Sequence, residues 1–267
     1  MISILVAMHK NFWLASDDIY IPIYVGSEKN VNSLNVNKDF YKDNDGGDDV
    51  KEISLRNYTY CEMTAVYWAW KNLKTDYIGL CHYSRYFGEK KNHRCPDDSD
   101  VYDAAKYENI LKMYPIIVPN LESIDAGKNV YDNYKIRHHI EDLDLCRLVI
   151  KDKYPEYIAA FDTVMESNEL HFYNMFVMRK DVLHSYCEWI FNILFEVEKR
   201  IDYSKYDAYQ RRVMGFLAER LFNVWLIYHK EIPIFNMPVS NVGYIKSRWT
   251  WYRDKVLNLL RIKNKIN

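Results

Sequence analysis

Apolar positions in this chain come first as short dense runs and later as helical stripes. Residues 2–8 form an apolar run broken only by Ser3, the pattern of a strand buried on both faces of a parallel sheet. Residues 19–25 form a second β-rich run, closed by Gly26-Ser27. A third, 77–81, runs straight into His82-Tyr83-Ser84-Arg85-Tyr86-Phe87, and a fourth, 113–118, stops at Pro119-Asn120. Between them Met63, Val66, Tyr67, Trp70 and Leu73 recur every three or four residues, which predicts a helix over 60–73. Later segments, 140–150, 157–166, 181–200 and 207–228, read as helices, and 172–178 as a strand-like run interrupted by Asn174. Residues 29–52 are polar and rich in turn formers, which reads as a solvated surface loop.

Strands alternating with helices predict an α/β fold: a mainly parallel sheet with crossover helices. The helix-rich C-terminal half is expected to pack against one side or edge of that sheet. No internal repeat or linker interrupts the pattern. Residues 1–244 therefore read as one domain, and 245–267 as a basic amphipathic tail.

Composition narrows the partners. A formal net charge of −1 gives no reason to expect nucleic acid. Five cysteines, an odd number with no CxxC pair, argue for a reducing compartment and against a zinc knuckle or disulfide scaffold. The first apolar run has no basic leader and reads as a strand, not a signal peptide; no stretch reaches the length of a membrane span. A cytoplasmic or peripheral protein is the expectation. The 24 tyrosines suit sugar faces, with their C–H patches beside hydroxyls, although AT-rich coding also yields many tyrosines.

The polar residues that end 77–81 should stand at the carboxyl edge of the sheet, where open α/β folds bind ligands. There His82 offers a titratable ring and Arg85 a rigid fork of donors suited to a diphosphate. Ordinary loop hydrogen bonds account for both residues equally well. Glu62 falls in the first turns of its helix and can face the sheet edge; Trp68 and Trp70 diverge and suit packing, with Trp68 retained as an acceptor-binding candidate. Asn174 needs a partner if buried, either backbone or ligand. Arg211, Gly215 and Glu219 share a helix face, so Arg211 and Glu219 can reach an acceptor, or form a salt-bridge ladder around a packing glycine. Asp142, after His138-His139-Ile140-Glu141, is a candidate general base, as is Glu219. Adjacent helical residues point about 100° apart, so the histidine–acid run is not ready-made metal-ligand spacing.

Several stretches occur in an order that resembles a known family. They are Ala7-Met8-His9-Lys10, Pro22-Ile23-Tyr24-Val25-Gly26, Asp43-Asn44 with its glycines, and Tyr60-Cys61-Glu62-Met63-Thr64 with 67–72. Residues 79–87, 173–178, Gln210-Arg211 with Gly215, 219–222 and Trp225 follow. The chain resembles, over roughly 2–230, the bacterial capsular and lipopolysaccharide biosynthesis proteins long filed as a domain of unknown function and regarded as glycosyltransferases. That resemblance implies a nucleotide-sugar-binding sheet of the GT-A type; some members are associated with galactofuranose transfer. It marks His9, Lys10, Asp43, Asn44, Glu62, His82, Tyr83, Arg85 and Asn174 as candidate donor-binding residues. Ser84 departs from the family pattern, which has Arg there.

The expected partners are a nucleotide-sugar donor, in the first instance uridine diphosphate-linked, and a lipid-linked glycan acceptor. Many transferases of this fold type hold Mn2+ or Mg2+ on an Asp-x-Asp pair. Here the sheet edge carries His82-Tyr83-Ser84-Arg85 instead. Either cationic side chains neutralise the diphosphate without metal, or ligands come from Asp43/Asp45, Asp48/Asp49 or Glu141/Asp142. The tail carries seven basic residues against Asp254, interleaved with apolar ones such as Trp249 and Trp251. That composition suits an anionic inner-leaflet surface, or a terminal helix packed on the domain. Two other functions fit less of the sequence: a non-catalytic glycan-binding or assembly protein, and a metal-dependent phosphoester hydrolase.

Overall fold

The computed structural model describes residues 1–9, 12–27, 40–89, 96–124 and 127–242, and its centre is β1 (Ile2–Met8). Parallel neighbours flank it on both sides, β2 (Tyr20–Tyr24) on one and, beyond β3 (Tyr41–Lys42) in sequence, β4 (Tyr77–His82) on the other. Among the described residues the sheet has nine strands, adding β5 (Arg85–Phe87), β6 (Ile116–Pro119), β9 (Phe176–Arg179), β10 (Ile234–Met237) and β11 (Val239–Asn241). Two short strands between these, β7 (Glu122–Ser123) and β8 (Glu169–Leu170), pair apart from it. The main order is β10-β6-β9-β4-β1-β2-β3, with β5 and β11 branching from β4. Within that order β9 alone runs against its neighbours. The architecture is the mainly parallel α/β sheet that the alternation predicts.

Helices cover both faces. Among the described residues they are, in chain order, α1 (Asp48–Leu55), α2 (Asn57–Tyr60), α3 (Met63–Asn72), α4 (Ala104–Leu111), α5 (Val130–Arg137), α6 (Ile140–Lys153), α7 (Ile158–Glu166), α8 (Lys180–Glu198) and α9 (Val213–Tyr228). Alternate strand residues point to opposite faces. Leu5, Ile78, Leu80 and Met178 join α3 and α5–α9 in the larger core. Ile4, Val6, Cys81 and Val177 join Tyr107 and Leu111 of α4 in the smaller one. A strand buried on both sides has no polar alternation, which is why 2–8 reads as a near-continuous apolar run. Among the described residues no helix is long and apolar enough to cross a membrane.

Three local expectations are corrected. The helix expected over 60–73 is broken at Cys61, which takes φ 50° between α2 and α3. There α9 comes so close that a Cβ on Gly215 would stand 3.3 Å from both Cβ and Sγ of Cys61. Tertiary approach overrides the helical stripe. Secondly, the strand at 172–178 starts only at Phe176, because Tyr173 and Asn174 adopt φ 78° and 52° in a turn ahead of it.

Thirdly, the described part of 29–52 is no plain solvated loop. Asp43 is fully buried, and its carboxylate accepts from the Gly26 and Ser27 amides (2.6 and 3.0 Å) and from the Ser54 and Thr64 hydroxyls (2.6 Å each). Gly26 makes that turn at φ +70°. One carboxylate thus ties the end of β2 to α1 and α3. Asp43→Ala would leave four donors without their acceptor; we expect a loss of stability on the order of 3 kcal/mol, measurable by urea denaturation.

Candidate functional site

The carboxyl ends of β1, β2 and β4 open into a cleft of about 780 Å³. Open α/β sheets bind ligands at this edge, beside the point where strand order reverses. That point lies between β1 and β4, since the chain passes from β1 to β2 and β3 and then crosses back to β4. Ala7, His9, His82 and Tyr83 line the cleft here. Tyr83 stacks on Phe12 with ring centroids 3.8 Å apart, and His9 meets Tyr83 edge-on at 4.9 Å.

The antiparallel direction of β9 brings a second group to the same edge. Because β9 opposes β4, the residues just before β9 stand beside the last residues of β4. Those residues are the left-handed pair Tyr173-Asn174, a conformation that costs on the order of 1 kcal/mol per non-glycine residue. Five side chains hold it. Glu219 of α9 accepts from the Tyr173 amide (2.7 Å), and His82 Nε2 donates to the Tyr173 carbonyl (2.6 Å). The Arg85 guanidinium lies 4.7 Å from the Tyr173 ring centroid, and the Tyr173 hydroxyl donates to Glu122 (2.9 Å). Asn174 Nδ2 donates to Glu62 (2.7 Å) and to the Gly215 carbonyl (3.2 Å). Its Oδ1 is buried without a hydrogen-bond partner among the described residues.

These bonds fix several functional groups. His82 must carry its hydrogen on Nε2 to serve a carbonyl, which leaves Nδ1 for another partner. Arg85 has no ion pair among the described residues, so its donors are free for a ligand. Arg212 is similarly placed: Nε donates to Cys61 Sγ (3.4 Å), and its two amino groups have no protein acceptor among the described residues. Glu219 also accepts from Arg220 (2.6 Å), a residue almost fully buried. Burial and the bond to Glu122 push the Tyr173 hydroxyl up to about 12, so it stays a neutral donor.

His138, just after α5, also lines the cleft. Its ring stacks on Phe216 at 4.1 Å and on Tyr209 at 5.9 Å. Nδ1 lies 3.2 Å from Gln210 Oε1, and Gln210 Nε2 donates to the Arg137 carbonyl (2.8 Å). Burial, against the Gln210 bond and with help from Arg220 and Arg137, lowers this histidine to about 4.

The structure thus brings His9, Glu62, His82, Tyr83, Arg85, Asn174 and Glu219 together around one cleft. Other expected residues lie elsewhere. Asp43 and the neighbouring Asn44 do not line it, Asp43 being spent on the turn described above. Trp68 is buried, packs on Tyr41 (4.9 Å) and donates Nε1–H to the Asp45 carbonyl (2.6 Å), so it is no acceptor platform. Asp142 is buried and accepts from the Tyr206 hydroxyl (2.6 Å); burial raises its carboxyl, but it does not line the cleft and cannot serve as its base. Arg211 is replaced by Arg212. Residues 210–212 form a 3₁₀ turn ahead of α9, which shifts the angular phase, and Arg211 Nε donates to the Tyr206 carbonyl instead. Lys10 and residues 245–267 lie outside the described residues.

Sequence reasoning missed Asn57, Arg137, Tyr209 and Arg212 of this cleft, and read His138 only within a histidine–acid run. That run divides three ways: His138 enters the cleft, His139 stacks on Tyr206 (4.3 Å), and Asp142 lies beneath Tyr206. Among the described residues no three His, Cys, Asp or Glu side chains converge as a metal site.

A family model described as a domain of unknown function, DUF4422, matches residues 3–231. The chain is similar to a solved structure described as the apo form of the WbbM bifunctional glycosyltransferase, at 30% identity and a TM-score of 0.81. The match covers 91% of this chain but 45% of that one, so this chain spans less than half its length. No curated protein matches the sequence.

A depressed histidine binds fewer protons folded than unfolded between its two values. His138 therefore favours folding above its unfolded value near 6.5, and that contribution is lost as pH falls toward about 4. We expect unfolding free energy to drop across this window, and less steeply in His138→Phe, with the ring titration of His138 followed by NMR.

Proposed function

The chain belongs to the DUF4422 family, and we propose that its carboxyl-edge cleft is the active site of a glycosyltransferase. It moves a sugar from a nucleoside diphosphate, in the first instance uridine diphosphate, to an acceptor hydroxyl on a growing surface polysaccharide. The observation that carries this reading is the charge inventory of the cleft. Arg85 and Arg212, from different elements, both present unengaged donors beside the carboxylates Glu62 and Glu219.

Transfer breaks the bond between the anomeric carbon and the diphosphate oxygen, forms one to the acceptor oxygen, and releases the acceptor's proton. Charge grows on the departing diphosphate, so preorganised cationic donors lower the barrier. Arg85 and Arg212 fill that role. His82 Nδ1 faces the donor sugar, oriented by the bond that Nε2 gives the protein, and Asn174, held by Glu62 and the Gly215 carbonyl, braces the wall beside it. Glu219 takes the acceptor's proton. Each of its oxygens accepts one bond from the protein and retains a lone pair for a hydroxyl. Glu62 and Glu219 are both committed to protein donors and make a poor ligand pair for a hard divalent cation. The diphosphate charge falls to the arginines. The basic, apolar tail at 245–267 docks the enzyme on the anionic inner leaflet, where a lipid-linked acceptor is displayed.

Thermal shift against nucleoside diphosphates and their sugars, with and without Mn2+ or Mg2+, tests the donor site. Ligand at a hundredfold over its dissociation constant adds about 2.7 kcal/mol. We expect a shift with uridine diphosphate that is lost in Arg85→Ala/Arg212→Ala. No shift with any nucleotide, on folded protein, would move the reading to a non-catalytic glycan-binding protein. In turnover assays Glu219→Gln should lower kcat at least a hundredfold with the uridine diphosphate shift retained.

A further inference from the structure

Strand register at the carboxyl edge fixes where the basic tail leaves the domain. Because β4 and β11 both run against β5, β11 follows the direction of β4 and heads out over that edge. Its last residue, Asn241, pairs with Arg85, and Arg85 pairs with His82. Neighbouring strands lie about 4.8 Å apart, so the chain departs roughly 10 Å from His82 of the cleft wall. Lys246, the first basic residue of 245–267, follows Asn241 by five residues and stands no farther from it than about 18 Å. A seven-residue strand such as β1 spans roughly 23 Å from one edge to the other, more than that reach. The tail, with seven basic residues against Asp254, therefore begins on the cleft side of the sheet.

The rim of the cleft carries a second, independent feature. Tyr58 and Tyr209 line the opening, and both are exposed. Ile136, 64% exposed, precedes Arg137 of the cleft wall, and the Gln210 amide that donates to the Arg137 carbonyl ties this end of α5 to the turn that carries Tyr209. Leu121, also exposed, stands between the carboxyl end of β6 and Glu122, which holds the Tyr173 hydroxyl. Single exposed apolar residues need no explanation, but several around one opening mark a contact surface. Lys135, Arg137 and Arg211 are exposed among them, while Asp207 accepts from the Tyr209 and Gln210 amides. Cations mixed with apolar side chains suit an anionic bilayer surface, where headgroups meet the charges and the apolar groups enter the boundary below.

We propose that this carboxyl-edge face lies on an anionic bilayer, with the mouth of the cleft toward the lipid. The tail holds headgroups beside Arg85, and Leu121, Ile136 and Tyr209 rest on the surface around the opening. An acceptor carried on a lipid then meets the cleft without leaving the membrane. The orientation rests on the membrane docking of the tail proposed above and adds which face docks; it is independent of the nucleotide.

A fluorescent amino acid placed singly at Leu121, Ile136 or Met113 reports the docked face in the full-length chain. Met113 is exposed at the opposite edge, ahead of β6. Vesicles of phosphatidylcholine, with or without phosphatidylglycerol, carry a nitroxide-labelled lipid as quencher. On vesicles with phosphatidylglycerol we expect quenching at 121 and 136 and little at 113, and on phosphatidylcholine alone no quenching at any of the three. Lys246→Glu/Arg248→Glu should weaken vesicle binding about tenfold and Ile136→Glu about threefold, with the uridine diphosphate shift unchanged in both. Quenching at 113 equal to that at 136, or Ile136→Glu that binds vesicles as the wild type does, would overturn the orientation and leave tail docking in place. No binding of the wild type to either vesicle would overturn both, with the transferase reading still resting on its nucleotide test. Quenching confined to 121 and 136 without a nucleotide shift in the wild type would uphold the orientation and remove the transferase reading.

Discussion

The left-handed turn at Tyr173-Asn174 is the constraint around which the cleft is assembled. Two consecutive non-glycine residues at positive φ persist only where surrounding groups over-determine them. Here those groups come from β4, β5, the α2–α3 junction and α9, through His82, Arg85, Glu62, Gly215 and Glu219. Each bond that holds the turn also orients a side chain on the cleft wall. A strained backbone and a preorganised site are the same set of contacts.

The sheet supplies the reason that this turn stands where it does. Had β9 run parallel to β4, residues 173–174 would lie at the opposite edge, some four strand residues away. Reversal of one strand delivers its preceding turn to the carboxyl edge, where β1 and β4 already present His9 and His82. The Asp43 carboxylate plays a comparable part on the other flank, where it draws the end of β2 toward α1 and α3 and so fixes the junction that carries Glu62.

Charge and aromatic surface meet along the cleft. At the turn, the Arg85 guanidinium stands over Tyr173 beside carboxylates held by backbone and amide donors, while Arg212 lies against Phe216 and Tyr209. Toward α5, aromatic rings enclose a histidine that stays neutral over the physiological range.

The sequence by itself determined the sheet, because a strand buried on both faces leaves a near-continuous apolar run that no local context disguises, as in 2–8 and 77–81. It also placed His82 and Arg85 correctly, since the end of such a strand is a carboxyl edge whatever surrounds it. The long helices α6 and α8 followed from their stripes within a few residues, whereas α9 begins at Val213 and not at 207. What only the tertiary structure decided were the positions where two distant segments meet. Cys61 breaks a helical stripe because α9 passes at Gly215, and Asp43 leaves a polar loop for the interior because four donors from elsewhere converge on it. Arg212 replaces Arg211 because a 3₁₀ turn shifts the phase, and His138 parts company with Asp142 because a helix begins between them. Periodicity is a property of one segment, whereas a cleft is a property of several, and no spacing along the chain encodes which of them approach.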